Sequence, residues 1–191
     1  TLAPQVAFLE ALRKALPEDG ILVDELTQMG YAARFAYPTY KSRTFLSPGY
    51  QGTLGWGYAT SLGAKVAKPD TPVVSISGDG GFLFTAMEMA TAAQHGIGVV
   101  AVVFSDGAYG NVRRIQQQSF KNRTIASDLR NPDFVKLGES FGLDAVRVSS
   151  PEELGTAVAR GIAKGGPMLI DCPVGELPDP WKLVTLPRNR R

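Results

Sequence analysis

Two apolar runs, residues 73–77 and 99–104, limit what this chain can fold into more than any other feature. Neither keeps the strict alternation of a half-exposed strand, and each is followed by a helical pattern. Strands of this kind are buried on both faces, which requires a parallel sheet with helices on either side. Both runs stop at a turn that carries a carboxylate: Gly78-Asp79-Gly80-Gly81 after the first and Ser105-Asp106-Gly107 after the second. In such sheets ligands lie beyond the carboxyl ends of the strands. Asp24, Asp79 and Asp106 all fall at or just past such ends.

The rest of the chain follows the same rhythm. Apolar residues at helical spacing predict a helix over 2–16, stopped by Pro17. A short strand is expected at 21–23, helices at 52–67 and 82–95, and further strands at 145–148 and 168–172. Asn131 is read as an N-cap with Pro132 at the first helical position, leading a helix to about Phe141. Ser150-Pro151-Glu152-Glu153 reads as a capping box that opens a helix ending at Gly165-Gly166. Residues 26–51 show no period and read as a long irregular, functional loop. With 191 residues the chain has material for one substantial core, so a single α/β domain over 1–191 is expected. It opens on Thr1 rather than Met and reads as a processed chain or a piece of a longer one.

Composition excludes several function classes. Apolar residues make up 44% and charged residues 20%, which is a globular balance. The net charge of +2 comes partly from the basic tail at 188–191, so nothing supports a nucleic-acid role. The apolar runs are strand-length, which argues against a membrane role. One cysteine, Cys172, and one histidine, His95, exclude an internal disulfide and a Cys/His metal cluster. Cys172 ends an apolar run and reads as a buried strand residue, and a reducing cytoplasm is the expected compartment.

The two turns suggest a specific chemistry. Glycines at a helix start expose N–H groups to which a phosphate can draw close. The dinucleotide fingerprint fails because Leu83 holds its last glycine position, and the Gly-Lys-Ser/Thr of a P-loop is absent. A carboxylate at Asp79 repels phosphate unless a cation lies between them, and Asp106 offers a second hard oxygen ligand. Mg²⁺ commonly bridges carboxylate to diphosphate. The reading is therefore a metal–diphosphate site, with two ordinary Asx/Gly turns as the alternative. In function, a non-catalytic assembly module and a plain nucleotide-binding domain remain the rivals.

Gly78-Asp79-Gly80, followed by Asp106 27 positions after Asp79, resembles the thiamine-diphosphate signature Gly-Asp-Gly…Asn-Asn. The Glu88-Met89-Ala90-Thr91-Ala92 and Ala108-Tyr109-Gly110 stretches fit the same pattern, as do Gly52-Thr53-Leu54-Gly55 and Asn131-Pro132-Asp133-Phe134-Val135. Nearly the whole chain resembles the C-terminal, diphosphate-binding domain of the acetolactate synthase and benzoylformate decarboxylase group. The resemblance implies thiamine diphosphate and Mg²⁺ as cofactors, with the metal held by Asp79, Asp106 and the Ala108 carbonyl. It implies that Thr27, Gln28, Gly78, Gly80, Gly81 and Tyr109 surround the cofactor. It gives Leu54 and Gly52 the catalytic role, Leu54 wedged between the cofactor rings and the Gly52 carbonyl accepting from its amino group. It further implies a small 2-oxo acid substrate, a homo-oligomer, and a pyrimidine-binding domain or subunit that carries the activating glutamate. The chain alone is then expected to be inactive. Three departures stand out: Ser105-Asp106 replaces Asn-Asn, and Tyr31 and Ile115 stand where acetolactate synthases usually or often have Trp. Glu88 reads as a mid-helix structural carboxylate, Arg113 and Arg114 as a solvated face, and Trp181 as a docking residue on the domain or a partner.

Overall fold

The computed structural model describes residues 2–49 and 51–181. The strands are β1 (Ile21–Val23), β2 (Phe45–Leu46), β3 (Val73–Gly78), β4 (Val99–Ser105), β5 (Asp144–Arg147) and β6 (Met168–Pro173). The helices are α1 (Ala3–Ala15), α2 (Gln28–Ala36), α3 (Trp56–Ala67), α4 (Asp79–Phe82), α5 (Met89–His95), α6 (Gly110–Ser119), α7 (Phe134–Ser140) and α8 (Pro151–Lys164). The strands form one six-stranded, wholly parallel sheet in the order β2-β1-β3-β4-β6-β5.

Burial on both faces explains the unalternating runs. On β4, Val100, Val102 and Phe104 join a core with α1, α2 and α8 through Phe8, Leu12, Met29, Leu154 and Val158. Its other residues, Val99, Ala101 and Val103, face the opposite way. They pack with Tyr58, Leu62, Phe82, Met89 and Phe134 from α3, α4, α5 and α7. Every residue of β4 except the last is buried. The sheet is therefore the middle layer of three, as the sequence implies.

Chain order reverses beside β1. The chain steps outward from β1 to β2, then crosses back to β3 on the other side of β1. Loops leaving β1 and β3 consequently diverge and open a crevice between them, the usual ligand position in such sheets.

Several local expectations need correction. Residues 26–51 are not one irregular loop: α2 and β2 lie within them. Met29, Ala32 and Ala33 are buried under the sheet, so packing decides α2 where the sequence period was too short to show it. The helix expected over 82–95 is broken into α4, a 3-10 turn at Ala86–Glu88 and α5. The break is tertiary in origin. Gly55 sits so close to Phe84 that a methyl on it would come within 2.7 Å of the Phe84 Cβ, and Thr85 Oγ donates to the Gly55 carbonyl at 3.0 Å. Glu88 is thus exposed at the end of that turn rather than mid-helix, and accepts from Thr91 Oγ at 2.8 Å. The helix expected from residue 52 begins at Trp56. The cap of α7 is Asp133, not Asn131: its carboxylate accepts from Val135 N at 3.1 Å and Lys136 N at 3.4 Å. Ser150 caps α8 as expected, accepting from Glu153 N, while Glu153 reaches back to Ser149 N at 2.7 Å. Cys172 is buried in β6, where burial pushes its thiol up to about 12. The basic tail at 188–191 lies outside the described residues.

Candidate functional site

A cavity of about 210 Å³ opens at the carboxyl ends of β1, β3 and β4. Thr27, Gln28, Leu54, Gly78, Asp79, Gly80, Asp106, Ala108 and Tyr109 line it, together with Leu26, Tyr31, Gly110, Asn111 and Val112. Residues from four separate stretches are thereby brought together. Two expected site residues stand behind the wall instead. Gly81 packs against the Glu25 carboxyl and Gly52 against the Leu26 side chain.

The Asp79 side chain is buried and organises the floor. Its Oδ2 accepts from Gly107 N at 2.7 Å, Asp106 N at 3.2 Å and Asn131 Nδ2 at 2.6 Å, and its Oδ1 accepts from Gly80 N at 2.8 Å. One carboxylate thus locks the turn after β4 onto the turn after β3, which is why the two turns hold a fixed register. Asn131 is a site residue that the sequence reading assigned to a cap. The one signal for it was Asp133, a second candidate cap two positions on.

Asp106 shares this confined space. Its Oδ1 accepts from Ala108 N at 3.0 Å, and a methyl on Gly110 would lie 3.0 Å from its Oδ2. Burial, then the neighbouring Asp79 charge, push the Asp106 carboxyl up to about 6. Two carboxylates crowded in this way favour a cation between them. The Gln28 Oε1 and Asn131 Oδ1 oxygens are also buried without a hydrogen-bond partner. Hard oxygens of this kind suit Mg²⁺. Among the described residues no group of three or more His, Cys, Asp or Glu side chains forms a metal cage, so a cation here must take further oxygens from backbone or ligand.

Ser105, where Asn is usual in the signature, does not reach the cavity: its Oγ donates to Asp171 Oδ1 at 2.8 Å. Asp24 is set apart too, since its Oδ2 accepts from Arg34 Nε at 2.9 Å. Tyr109 lies over Gly80 so closely that a methyl there would stand 2.4 Å from its ring, which restricts position 80 to glycine. Leu54 enters the cavity from a loop with left-handed glycines on both sides, Gly52 at φ 57° and Gly55 at φ 83°. That conformation suits residues without a Cβ.

Tyr31 meets Trp181 with ring centroids 4.9 Å apart, and Trp181 Nε1 donates to Asn111 Oδ1 at 3.0 Å. Trp181 therefore docks on the domain itself, beside the cavity. A second cavity of about 390 Å³ adjoins, sharing Gln28, Asp106 and Gly110. Its Arg113 pairs with Asp128 at 3.2 Å and its Arg114 with Asp179 at 3.6 Å. Arg113 and Arg114 are thus ion-paired, partly covered residues that line this cavity, not the solvated face expected from the sequence.

Asp106 carries a stability prediction. Its folded pKa, about 6, exceeds the ordinary 3.8, so the folded chain binds this proton more tightly than the unfolded chain. That contribution is complete below the unfolded value and is lost as pH rises through the folded one. At neutral pH the charge costs on the order of 1–2 kcal/mol after discounting for solvent screening. Asp106→Asn should raise the melting midpoint of the chain in chelator at pH 7 by about 3–5 °C. It should also flatten the stability profile between pH 4 and 7, while magnesium-dependent ligand binding persists. An unchanged midpoint in calorimetric scans would remove the carboxylate conflict.

The fold and these residues define an α/β domain with an acidic, oxygen-lined cavity at the rim of a parallel sheet. The family described as "Thiamine pyrophosphate enzyme, C-terminal TPP binding domain" matches residues 26–172. The chain is 41% identical over 138 residues to the acetolactate synthase of Bacillus subtilis (strain 168), a match covering 72% of this chain and 24% of that protein. It is 38% identical over 192 residues to the acetolactate synthase large subunit of Corynebacterium glutamicum, covering 96% of this chain and 30% of that one. Its fold is similar to that of the Rhodococcus jostii RHA1 thiamine diphosphate-dependent 4-hydroxybenzoylformate decarboxylase. The TM-score is 0.83 at 28% identity, over 90% of this chain and 32% of that one. The chain belongs to the family of C-terminal domains of thiamine pyrophosphate enzymes that bind this cofactor, also called thiamine diphosphate. It spans about a quarter to a third of the length of these relatives. Among the described residues no helix is long and apolar enough to cross a membrane.

Proposed function

We propose that this chain holds thiamine diphosphate through Mg²⁺ as the diphosphate-binding part of an enzyme acting on a 2-oxo acid. That enzyme releases carbon dioxide and then either protonates the remaining fragment or joins it to a second carbonyl compound. The observation that carries the reading is the pair Asp79 and Asp106, crowded together at adjacent strand ends on one cavity with Leu54. Asp79, Asp106 and the Ala108 carbonyl would hold the cation. Thr27, Gln28, Gly78 and Gly80 would receive the diphosphate, whose charge the cation offsets. Gly81 supports that turn from behind, and Tyr109 closes over it. Bound thiamine diphosphate supplies an electron sink for the carbon next to the departing carboxylate.

This chain's residues contribute position. Leu54 projects into the cavity from a loop that two left-handed glycines shape, where it can fix the bend of the cofactor; Gly52, behind the cavity wall, would have to offer its carbonyl to the cofactor's amino group from there. The activating carboxylate belongs to a pyrimidine-binding domain or a partner subunit, in an assembly of identical copies. Among this chain's own carboxylates, Glu25 is sealed behind the wall and Glu88 is exposed at the end of a 3-10 turn; neither lines the cavity.

The test is calorimetric titration of the purified chain with thiamine diphosphate in Mg²⁺, against the same titration in chelator and against ADP and NAD. Binding that requires both thiamine diphosphate and the metal is expected. With pyruvate or benzoylformate, carbon dioxide release by the chain alone should not exceed that of the free cofactor, because positioned acid–base help worth about 10²–10⁴-fold is missing. Binding of ADP or NAD in preference would favour a plain nucleotide domain, and binding of none of the three a non-catalytic assembly module.

A further inference from the structure

Glu25 is wholly buried, yet it does not line the cavity. It follows β1 directly, and burial pushes its carboxyl above the ordinary range. Burying a carboxyl costs several kcal/mol unless a specific partner offsets it. Here the Ser77 side chain and then the backbone amides of Gly55 and Gly57 oppose that cost. Glu25 Oε1 accepts from Gly55 N at 2.5 Å, next to Leu54 in the chain. Two further glycines pack on the same group: a methyl on Gly57 would lie 3.0 Å from Oε2, and one on Gly81 2.4 Å from Oε1. One side chain thus touches the Leu54 loop, the first turn of α3 and the Asp79–Phe82 turn. A leucine of similar size would fill the volume but could not accept from Gly55.

We infer that Glu25 is a positioning residue: it holds the loop that carries Leu54 in register with the Gly78–Gly81 turn and touches neither cofactor nor substrate. It sets the separation between the part of the site that bends the cofactor and the part that holds its diphosphate. The catalytic consequence rests on the function proposed above; the clamp itself does not.

Amide hydrogen exchange at Gly55, measured in the chain without cofactor, tests the clamp directly. Glu25→Ala should speed that exchange by at least about 10-fold, and Glu25→Gln, which keeps an acceptor, should restore most of the protection. In the complete enzyme Glu25→Ala should lower kcat by about 30-fold or more with less than about a 3-fold change in cofactor affinity, and Glu25→Gln should recover most of kcat. If the alanine variant does not fold, Glu25→Asp, one methylene too short to reach Gly55, should give the same two losses. Gly55 exchange as slow in the short or truncated variant as in the parent overturns the clamp. Equal losses in kcat and cofactor affinity overturn the positioning role in favour of a general structural one. If the parent chain binds no thiamine diphosphate while Gly55 protection still depends on Glu25, the clamp stands and the proposed function fails.

Discussion

Asp79→Ala is expected to abolish metal-dependent cofactor binding. The loss should exceed about 100-fold, the upper range for losing a mere outer-shell partner of a metal. The same change removes the acceptor that Gly80 N, Asp106 N, Gly107 N and Asn131 Nδ2 share. Leaving buried donors unpaired costs about 1–3 kcal/mol each, offset in part by relief of the repulsion from Asp106. A lower melting midpoint should therefore accompany the loss of binding. Asp79→Asn separates the two effects. It keeps the volume and one acceptor oxygen but turns an amide NH₂ toward donors, so it should stay folded at the assay temperature and still bind poorly. Calorimetry in Mg²⁺ reads the first effect and thermal scanning in chelator the second. Parent-like affinity in the asparagine variant would displace Asp79 from the metal site.

Leu54→Ala should act on rate rather than on affinity. Leu54 lines the cavity from its own loop, whereas the residues proposed to receive the diphosphate lie at the strand ends. Truncating it leaves Asp79, Asp106 and the glycine turn intact, so cofactor affinity in the complete enzyme should change by less than about 3-fold. Turnover depends on holding the reacting groups in a near-attack geometry, where an error of about 1 Å can cost about 10²-fold. A fall in kcat of that order is expected. Steady-state kinetics beside a cofactor titration decides the point, and an unchanged kcat would take Leu54 out of the mechanism.

The sheet, its parallel sense and both acidic turns could be read from the residues, because physical signals there are local. An apolar run buried on both faces has a distinctive pattern, and a Gly-Asp-Gly break ends it sharply. Other features depend on distant partners. The two residues of β2 have no pattern, and only pairing with β1 makes them a strand. Leu83, Phe84 and Thr85 suit a helix in isolation, but the close approach of Gly55 interrupts it. Asn131 looks like a cap until Asp79 is known to lie within reach. Glu25 was legible only as a carboxylate after a strand. Its burial beneath three glycines arises from segments that meet only in the folded chain.

The crossing back of the chain beside β1 gives the two rims of the sheet unequal freedom to vary. At the carboxyl rim, the turns after β1, β3 and β4 must agree to within a hydrogen bond. A residue inserted in any one of them would misplace the other two. At the amino rim, the connection from α3 to β3 runs through exposed residues such as Lys68, Pro69 and Asp70, and no cavity residue lies there. Strand register is set downstream of it, in the ladders of β3 with β1 and β4. Length changes on that rim can be absorbed without shifting Asp79 against Asp106. The chain can therefore acquire new attachments, whether to another domain or to another copy, along one edge while the chemistry on the other stays fixed.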